Sequence, residues 1–420
     1  MTALHAHFGW RQGLAYGLLG LPLAFVALPL YVLLPNHYAR EFGVPLAALG
    51  TVLLGARLFD AFIDPWIGRM SDRLFAHSPR AVLAVSAAAA VVLATGFVLL
   101  FFPAVRDTGP LLAWATAALA LTYAAYSALS VAHQSWGAML GGDEAQRSRI
   151  VAWREGLGLA GVLLASALPS LLGLPATAAA LALLLLAGWL AWRTAPVPQP
   201  ATEAQPTRLW LPFARPAFRR LLAVFVLNGI ASAVPATLVL FFVQDRLQAS
   251  AQMEPAFLGV YFLCAALCIP LWLRAVARFG LARCWLGGML LSVAVFVWAA
   301  GLGAGDTTAF LAVCALSGVA LGADLALPSA LLAGVIARAG DRGQAEGAYF
   351  GWWNFATKLN LALAAGLALP LLGWFGYAPG ARDTQALQAL VIAYCVLPCV
   401  LKLAAAVLLY LNLQHFRESP

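Results

Sequence analysis

Arg57, Asp60 and Asp64 sit in the stretch Arg57-Leu-Phe-Asp60-Ala-Phe-Ile-Asp64-Pro65-Trp-Ile-Gly68-Arg-Met-Ser-Asp72-Arg73. It lies at the end of an apolar run from Val44 to Ile67. A helix places residues three and four apart on one stripe, so the three charges share a face. An ionised group at the centre of a bilayer costs about 2.5–3.5 kcal/mol on insertion scales. That cost is met when the groups face a water-filled cavity and pair with one another. Two carboxylates and one guanidinium leave one surplus negative charge, which a bound cation or a proton neutralises. The chemistry of this stripe is therefore reversible cation binding, and the alternative is an ion-paired helix contact without a transport role.

The elements that carry the stripe follow from composition. Of 420 residues, 63% are hydrophobic and 10% charged. Apolar runs of 18 or more residues recur along the chain, each long enough to cross a hydrocarbon layer about 30 Å thick. The chain reads as an all-α polytopic membrane protein. The first run, near Gly13–Pro35, is too long for a signal-peptide core and is expected to be a retained span. The net charge of +8 does not point to nucleic acid. Lys358 and Lys402 are the only lysines, and the arginines gather in short loops, as the positive-inside rule requires. Cys264, Cys268, Cys284, Cys314, Cys395 and Cys399 fall in or beside apolar spans, so no disulfides are expected. The i,i+4 pairs Cys264/Cys268 and Cys395/Cys399 could hold a soft metal, but small core residues are the simpler reading.

Twelve spans are predicted. The first six are Gly13–Leu34, Val44–Ile67, Ala81–Phe102, Leu111–Gly137, Ile150–Leu172 and Ala176–Trp192. The second six are Leu221–Val243, Phe257–Leu273, Cys284–Leu302, Phe310–Ile336, Ala348–Leu372 and Ala386–Leu411. Pro22 and Pro29 should kink the first span, and Gly173–Pro175 is a tight turn. Asn36–Gly43, Gly68–Arg80 and Gly141–Arg149 read as loops. The proline- and arginine-rich segment Arg193–Arg220 reads as a linker. Residues 1–195 form one six-helix bundle, 196–220 the cytoplasmic linker and 221–420 a second bundle, the layout of a two-bundle transporter. With both termini cytoplasmic, only Arg40, Arg106, Arg246 and Arg382 fall on the outer side, which sets the orientation.

Few other ionisable residues lie in spans. Ser127, Ser130, His133 and Gln134 lie on span 4, Arg154 and Glu155 on span 5, Asn228 on span 7 and Asp324 on span 10. Trp352, Trp353, Asn354 and Lys358 lie on span 11, and Lys402 on span 12. Ser130, His133, Gln134, Asp324, Trp353, Asn354 and Lys358 are candidates for solute contact. Lys358 and Asp324 lie deep in their helices, where a charge faces a cavity and a partner. His133 and Gln134 can equally be hydrogen-bonded core residues, Trp352 and Trp353 packing aromatics, and Lys402 and Arg154 side chains that snorkel to the interface. No phosphate-binding Gly-rich loop and no nucleophile–base constellation occurs, so neither an ATP-driven pump nor an enzyme is indicated. Gly156–Gly161 supplies small residues for close helix packing.

The pattern Asp60-x-x-x-Asp64-Pro65-x-x-Gly68-x-x-x-Asp72-Arg73 resembles the second-span signature of the glycoside–pentoside–hexuronide:cation symporters, the melibiose-permease branch of the major facilitator superfamily. Arg147-x-Arg149 with Trp153-Arg154, and Glu346-Gly347-x-x-Phe350 with Lys358 and Gly376-Tyr377, are similar to two further blocks of that family. The resemblance implies the major facilitator fold, two six-helix bundles around a cavity, and alternating access. It implies Asp60, Asp64 and Ser127 as cation ligands, with Lys358 beside cation and solute. Arg57 and Arg154 fall in its charge network, and we expect Asp72, Arg73, Arg147 and Arg149 to gate the cytoplasmic side. Ala24 and Ser130 stand where sugar-binding members carry aspartates, and Ile63 where some carry a sodium-binding asparagine. A sodium site needs several neutral oxygens, whereas two close carboxylates in an apolar setting share a proton. The expectation is a cation-coupled symporter of a small organic solute, with H+ rather than Na+ at Asp60 and Asp64. It would sit in the cytoplasmic (inner) membrane as a monomer with no cofactor. The alternative is a cation-coupled lipid or lysolipid transporter, its acyl chain along Leu18–Leu34 and its head group at Lys358.

Overall fold

Hydrophobic runs with one polar stripe form helices in a medium that offers no hydrogen bonds, because each helix satisfies its own backbone. The computed structural model describes residues 8–198, 208–250, 252–377, 380 and 382–416. Twelve long helical segments occur among the described residues. They are α1 (Trp10–Glu41), α2 (Leu46–His77), α3 (Pro79–Phe101), α4 (Thr108–Leu140), α5 (Glu144–Pro169), α6 (Leu171–Trp192), α7 (Pro216–Arg246), α8 (Glu254–Phe279), α9 (Leu281–Ala300), α10 (Thr307–Arg338), α11 (Glu346–Trp374) and α12 (Thr384–Leu411). No strand occurs among the described residues. Exposed Leu183, Leu186, Leu267, Leu271, Val400 and Val407 give the apolar exterior that a lipid-facing surface needs.

The helices are longer than the apolar runs. Asn36–Glu41 and Gly68–His77, expected as loops, continue α1 and α2 as helix. Their polar side chains project from helix surface that extends beyond the hydrocarbon, and backbone bonding does not stop where hydropathy does. After α2, Ser78 caps α3, its Oγ accepting the Ala81 N–H at 3.0 Å, and Pro79 takes the first turn where no donor is needed. Span 1 is interrupted as its prolines require. Helix Trp10–Gly17 ends before Gly20–Leu28, and a π turn Pro29–Leu33 begins at Pro29. Two further π turns, Phe242–Arg246 and Ile392–Val396, occur in α7 and α12. From α5 into α6 the chain stays helical apart from Gly173 in the first turn of α6, whose φ of 80° suits glycine. Of the linker, residues 199–207 lie outside the described part, and Leu211–Ala214 is a single helical turn.

Two compact units are distinguished. One contains residues 1–214 and 336–355, the other 215–335 and 356–420. The early turns of α11 thus belong with the N-terminal helices. The first unit packs around Phe25, Phe97, Phe101, Trp136 and Trp192, with Tyr38 donating to the Leu100 carbonyl at 2.9 Å. The second stacks Phe242 on Tyr394 at 4.3 Å, with Phe310 and Phe257 beside them. In this unit the Tyr377 hydroxyl and the Gly380 amide donate to Asp245, tying the α11–α12 connection to the end of α7. Burial and the neighbouring Asp245 carboxylate push the Tyr377 hydroxyl up from its usual pKa.

Within the first unit, two helix crossings bring backbones into direct contact. A side chain at Gly17 of α1 would start 2.7 Å from the Trp153 carbonyl oxygen of α5, and Gly161 lies equally tight against Leu21. Gly156–Gly161 does therefore include a residue used for close packing. On α2, Gly68 lies against the backbone of Gly347. Side chains at Gly351 and Gly347 would start 2.6 Å from the Asp64 carbonyl and 2.7 Å from Asp72 Oδ1. Small residues four apart permit such an approach. Gly351→Leu should therefore force the crossing apart and cost about 1–3 kcal/mol, the usual range for overpacking. Gly287→Ala, with open space at its Cβ, should be neutral or mildly stabilising. Thermal unfolding in detergent distinguishes the two, and equal melting temperatures would count against the tight crossing.

Candidate functional site

Asp60 and Asp64 lie one turn apart on α2 and are 2% and 0% exposed. Ser127 of α4, itself 1% exposed, donates its hydroxyl to Asp60 Oδ1 at 2.9 Å. Asp60 and Ser127, predicted together as ligands, are thus in contact, and all three oxygen-bearing residues belong to the first unit. Arg57 stands one turn before Asp60. It is exposed, and its guanidinium carbon lies 4.6 Å from the centre of the Tyr31 ring of α1. A hydroxyl hydrogen-bonded to one of two buried carboxylates is an arrangement that can take a proton or a small cation in place of bulk water.

Next along α2, Asp72 has a definite role in the geometry. Its Oδ1 accepts the Gly347 N–H at 2.6 Å and its Oδ2 the Ala348 N–H at 2.9 Å, so it caps the first turn of α11. A carboxylate at a helix N-terminus satisfies otherwise unpaired donors and the macrodipole together. Glu346, the first residue of α11 and outside its apolar run, is fully buried, with Oε1 accepting from Gly343 N at 2.7 Å. Burial raises its carboxyl to about 7, opposed by the Gly343 amide and by Arg342. Arg342 itself donates to the Met139 carbonyl at the end of α4.

The predicted gate arginines divide. Arg147 is buried and donates to the Gly142 carbonyl, Arg149 reaches the Phe8 carbonyl at 3.4 Å, and Arg73 is exposed. Arg154 does not snorkel. It is 8% exposed and its Nε donates to Glu155 Oε1 at 2.9 Å, since a buried guanidinium is stable only with its counter-charge.

The solute candidates also separate. His133 is fully buried, stacked on Tyr16 at 4.3 Å, with its Nε2–H donating to the Tyr16 carbonyl and the Tyr16 hydroxyl returning a bond to the His133 carbonyl. This places it in the α1–α4 core. Gln134 donates to Ser130 Oγ at 3.0 Å on the same helix face. Trp353 is 3% exposed, while Asn354 and Lys358 are half-buried on α11. Trp352 donates to the Leu209 carbonyl and packs on Trp210, fixing the end of the linker.

Asp324 sits in a polar cluster of the second unit. Its Oδ1 accepts from Trp285 Nε1 at 2.8 Å and Asn228 Nδ2 at 3.1 Å. Its Oδ2 accepts from Lys402 Nζ at 2.9 Å and Ser232 Oγ at 3.3 Å. Lys402, 5% exposed, also donates to Ser232 Oγ. Lys402 therefore ends in the core rather than at the interface, because an aspartate lies within its reach there. Sequence reasoning noted Asn228 without a role and passed over Ser232, Trp285, Tyr31 and Tyr123. The i,i+4 spacing of Asn228 with Ser232 and of Tyr123 with Ser127 was a usable signal, whereas Trp285 left none. The six cysteines are free thiols, and no group of three or more His, Cys, Asp or Glu with metal-binding spacing occurs among the described residues.

Removing one partner of a buried ion pair leaves an uncompensated charge, at about 3–5 kcal/mol. Lys402→Met alone should therefore destabilise the second unit markedly. Lys402→Met combined with Asp324→Asn should recover much of the loss. A double-mutant cycle by denaturant unfolding measures this, and additive effects would show that the pair is not coupled.

The comparisons with known proteins agree with this architecture. A bacterial homologue of the iron transporter ferroportin, solved in an outward-facing state, superposes with a TM-score of 0.71 at 15% identity, covering 96% of this chain and 99% of its own. The transporter FucP in its outward conformation gives 0.67 at 15% identity, with 95% and 99% covered. The human organic anion transporter MFSD10 gives 0.67 at 18%, with the same coverage. These likenesses establish the fold. No curated protein matches the sequence. The family described as MFS/sugar transport protein matches residues 13–413. With residues 13–413 matched and the helices in the major facilitator arrangement, the chain belongs to the MFS/sugar transport protein family, the multi-pass membrane transporters that carry small solutes.

Proposed function

We propose that this transporter is a cation-coupled symporter of the melibiose-permease-like branch, moving a small organic solute across the cytoplasmic membrane by alternating access. Both termini are cytoplasmic in this reading, and the coupling ion is a proton. The observation that carries it is the buried Asp60–Ser127 hydrogen bond at 2.9 Å, with Asp64 fully buried one turn away. Two carboxylates held in a low dielectric repel each other, and a bound cation removes that penalty. The loaded carrier then exchanges between inward and outward states at lower cost than the empty one, which is what coupling requires. Ile63 offers no oxygen on this stripe, and Ser127 Oγ is bonded to Asp60. Sodium replaces its hydration shell with several oxygens, whereas a proton needs only the carboxylate pair.

Asp64→Asn should fold and insert normally yet lose concentrative uptake. In proteoliposomes a panel of glycosides, pentosides, uronates and lysophospholipids would be offered under an imposed pH gradient. Accumulation by the native protein and its absence in Asp64→Asn is the expected result. Undiminished accumulation in the variant would remove this pair from the coupling mechanism.

The ion is tested separately. Uptake should follow the pH gradient, collapse on adding a proton ionophore and ignore a sodium gradient at equal pH. Uptake driven by sodium and insensitive to the ionophore would reverse the assignment.

A further inference from the structure

The second unit is charged unevenly from one end to the other. Short connections join α7 to α8, α8 to α9 and α9 to α10, so successive helices alternate in direction. Asp245, Glu254, Asp306 and Asp383 all stand at the end where α8, α10 and α12 begin, and Asp324 lies mid-helix with Lys402. The opposite end, where α8 stops and α9 starts, carries Arg215, Arg219, Arg220, Arg274, Arg278 and Arg283. Among the described residues of this unit, no Asp or Glu stands there.

On α8 the charge falls on one line. Ala265, Ile269 and Val276 are buried, and Trp272 donates its Nε1–H to the Val319 carbonyl of α10 at 2.8 Å, so this face packs inside the unit. At about 3.6 residues per turn, Leu263, Leu267, Leu271, Arg274 and Arg278 form a single stripe on the opposite face. The leucines are 50%, 65% and 56% exposed, and both arginines are exposed. Neither arginine has a hydrogen bond or ion pair among the described residues. The macrodipole favours cations at the end of α8, but it acts on every face of the last turn and does not select the line of the leucines.

The stripe has the dimensions of one lipid. α8 opens at Glu254, and Arg274 lies about 30 Å along it, the thickness of the hydrocarbon layer. Arg278, one turn further, reaches the level of the headgroups. From Leu263 to Arg274 is about 16 Å, close to the depth of one leaflet. A phosphate set at the two guanidinium groups, which pair with its oxygens through parallel N–H donors, leaves an acyl chain against the leucines. A zwitterionic headgroup would bring an ammonium to an end that holds arginines and no described acid, so the fit is to a lipid with net negative charge.

We propose that Arg274, Arg278 and the leucine stripe of α8 hold an anionic phospholipid of the phosphatidylglycerol type, bound on the surface of the second unit and not carried. Arg283, in the first turn of α9, adds to the positive field at the headgroup. The choice of leaflet, the cytoplasmic one, rests on the orientation proposed above, whereas the binding chemistry does not.

The test is native mass spectrometry of the purified full chain in detergent, titrated with dioleoyl phosphatidylglycerol or with phosphatidylcholine of the same chains. Expected is tighter binding of phosphatidylglycerol. One basic side chain near an anionic headgroup is worth about fivefold in affinity, so Arg274→Gln with Arg278→Gln should weaken phosphatidylglycerol about 25-fold and leave phosphatidylcholine unchanged. Arg274→Lys with Arg278→Lys should keep most of the affinity, which guards against a fold defect in the glutamine variant. Arg219→Gln with Arg220→Gln removes the same charge from the same end but off the stripe, and should change little. Glycerol 3-phosphate, which has no acyl chain, should not displace the lipid. Equal binding of the two lipids, an equal loss in the Arg219 and Arg220 variant, displacement by glycerol 3-phosphate, or a second copy of the chain in place of the lipid would overturn the proposal. No solute or gradient enters the measurement, and Asp64→Asn should bind the lipid as the native chain does, so failure of symport and failure of this site are read apart.

Discussion

An ionised side chain inside hydrocarbon must find a counter-charge, a set of dipoles or water, and the rest of this molecule is arranged around that requirement. The described charges meet it in different ways. Arg154 takes Glu155 beside it, Lys402 takes Asp324 across two helices, and Asp72 takes the backbone amides that open α11. Asp60 receives a serine hydroxyl. A hydroxyl stabilises a carboxylate less than an ammonium or two amides do.

The α2–α11 crossing shows how backbone geometry and charge support each other. Gly68, Gly347 and Gly351 let the helices meet at backbone distance, and only at that distance can the short Asp72 side chain reach the amides of Gly347 and Ala348. Asp64 lies on the same edge of α2, its carbonyl against Gly351. One helix edge therefore carries a buried acid at one level and a helix cap two turns on. A displacement of α11 at the crossing would disturb both, which ties the cap mechanically to the acid pair.

The all-helical membrane fold and its helix number were legible in the sequence because hydropathy encodes them locally. Helix ends were less so: α2 runs to His77 because hydrogen bonding continues into Arg69, Asp72 and Arg73, where hydropathy has already fallen. Partners distant in the chain were harder still. Nothing near Asp324 in sequence announces Trp285 or Lys402, and nothing near Asp72 announces Gly347. His133, a plausible solute ligand by type, is enclosed by Tyr16 and Trp192. Its burial depends on how α1 and α6 pack, which no local pattern records.

The contrast between the two polar centres carries the functional argument one step further. Around Asp324, each carboxylate oxygen holds two donors and the ammonium of Lys402 balances the charge. Such a network gains little from any added ion and loses much if opened, so it acts as a fixed joint among α7, α9, α10 and α12. Around Asp60, the Ser127 hydroxyl donates to one of two buried acids that lie one turn apart, and Arg57 of the same helix stands over the Tyr31 ring. Two acids one turn apart and out of water repel each other, and a proton or cation relieves that repulsion. Saturation therefore argues for a joint in the second unit, and two neighbouring buried acids for a working site in the first.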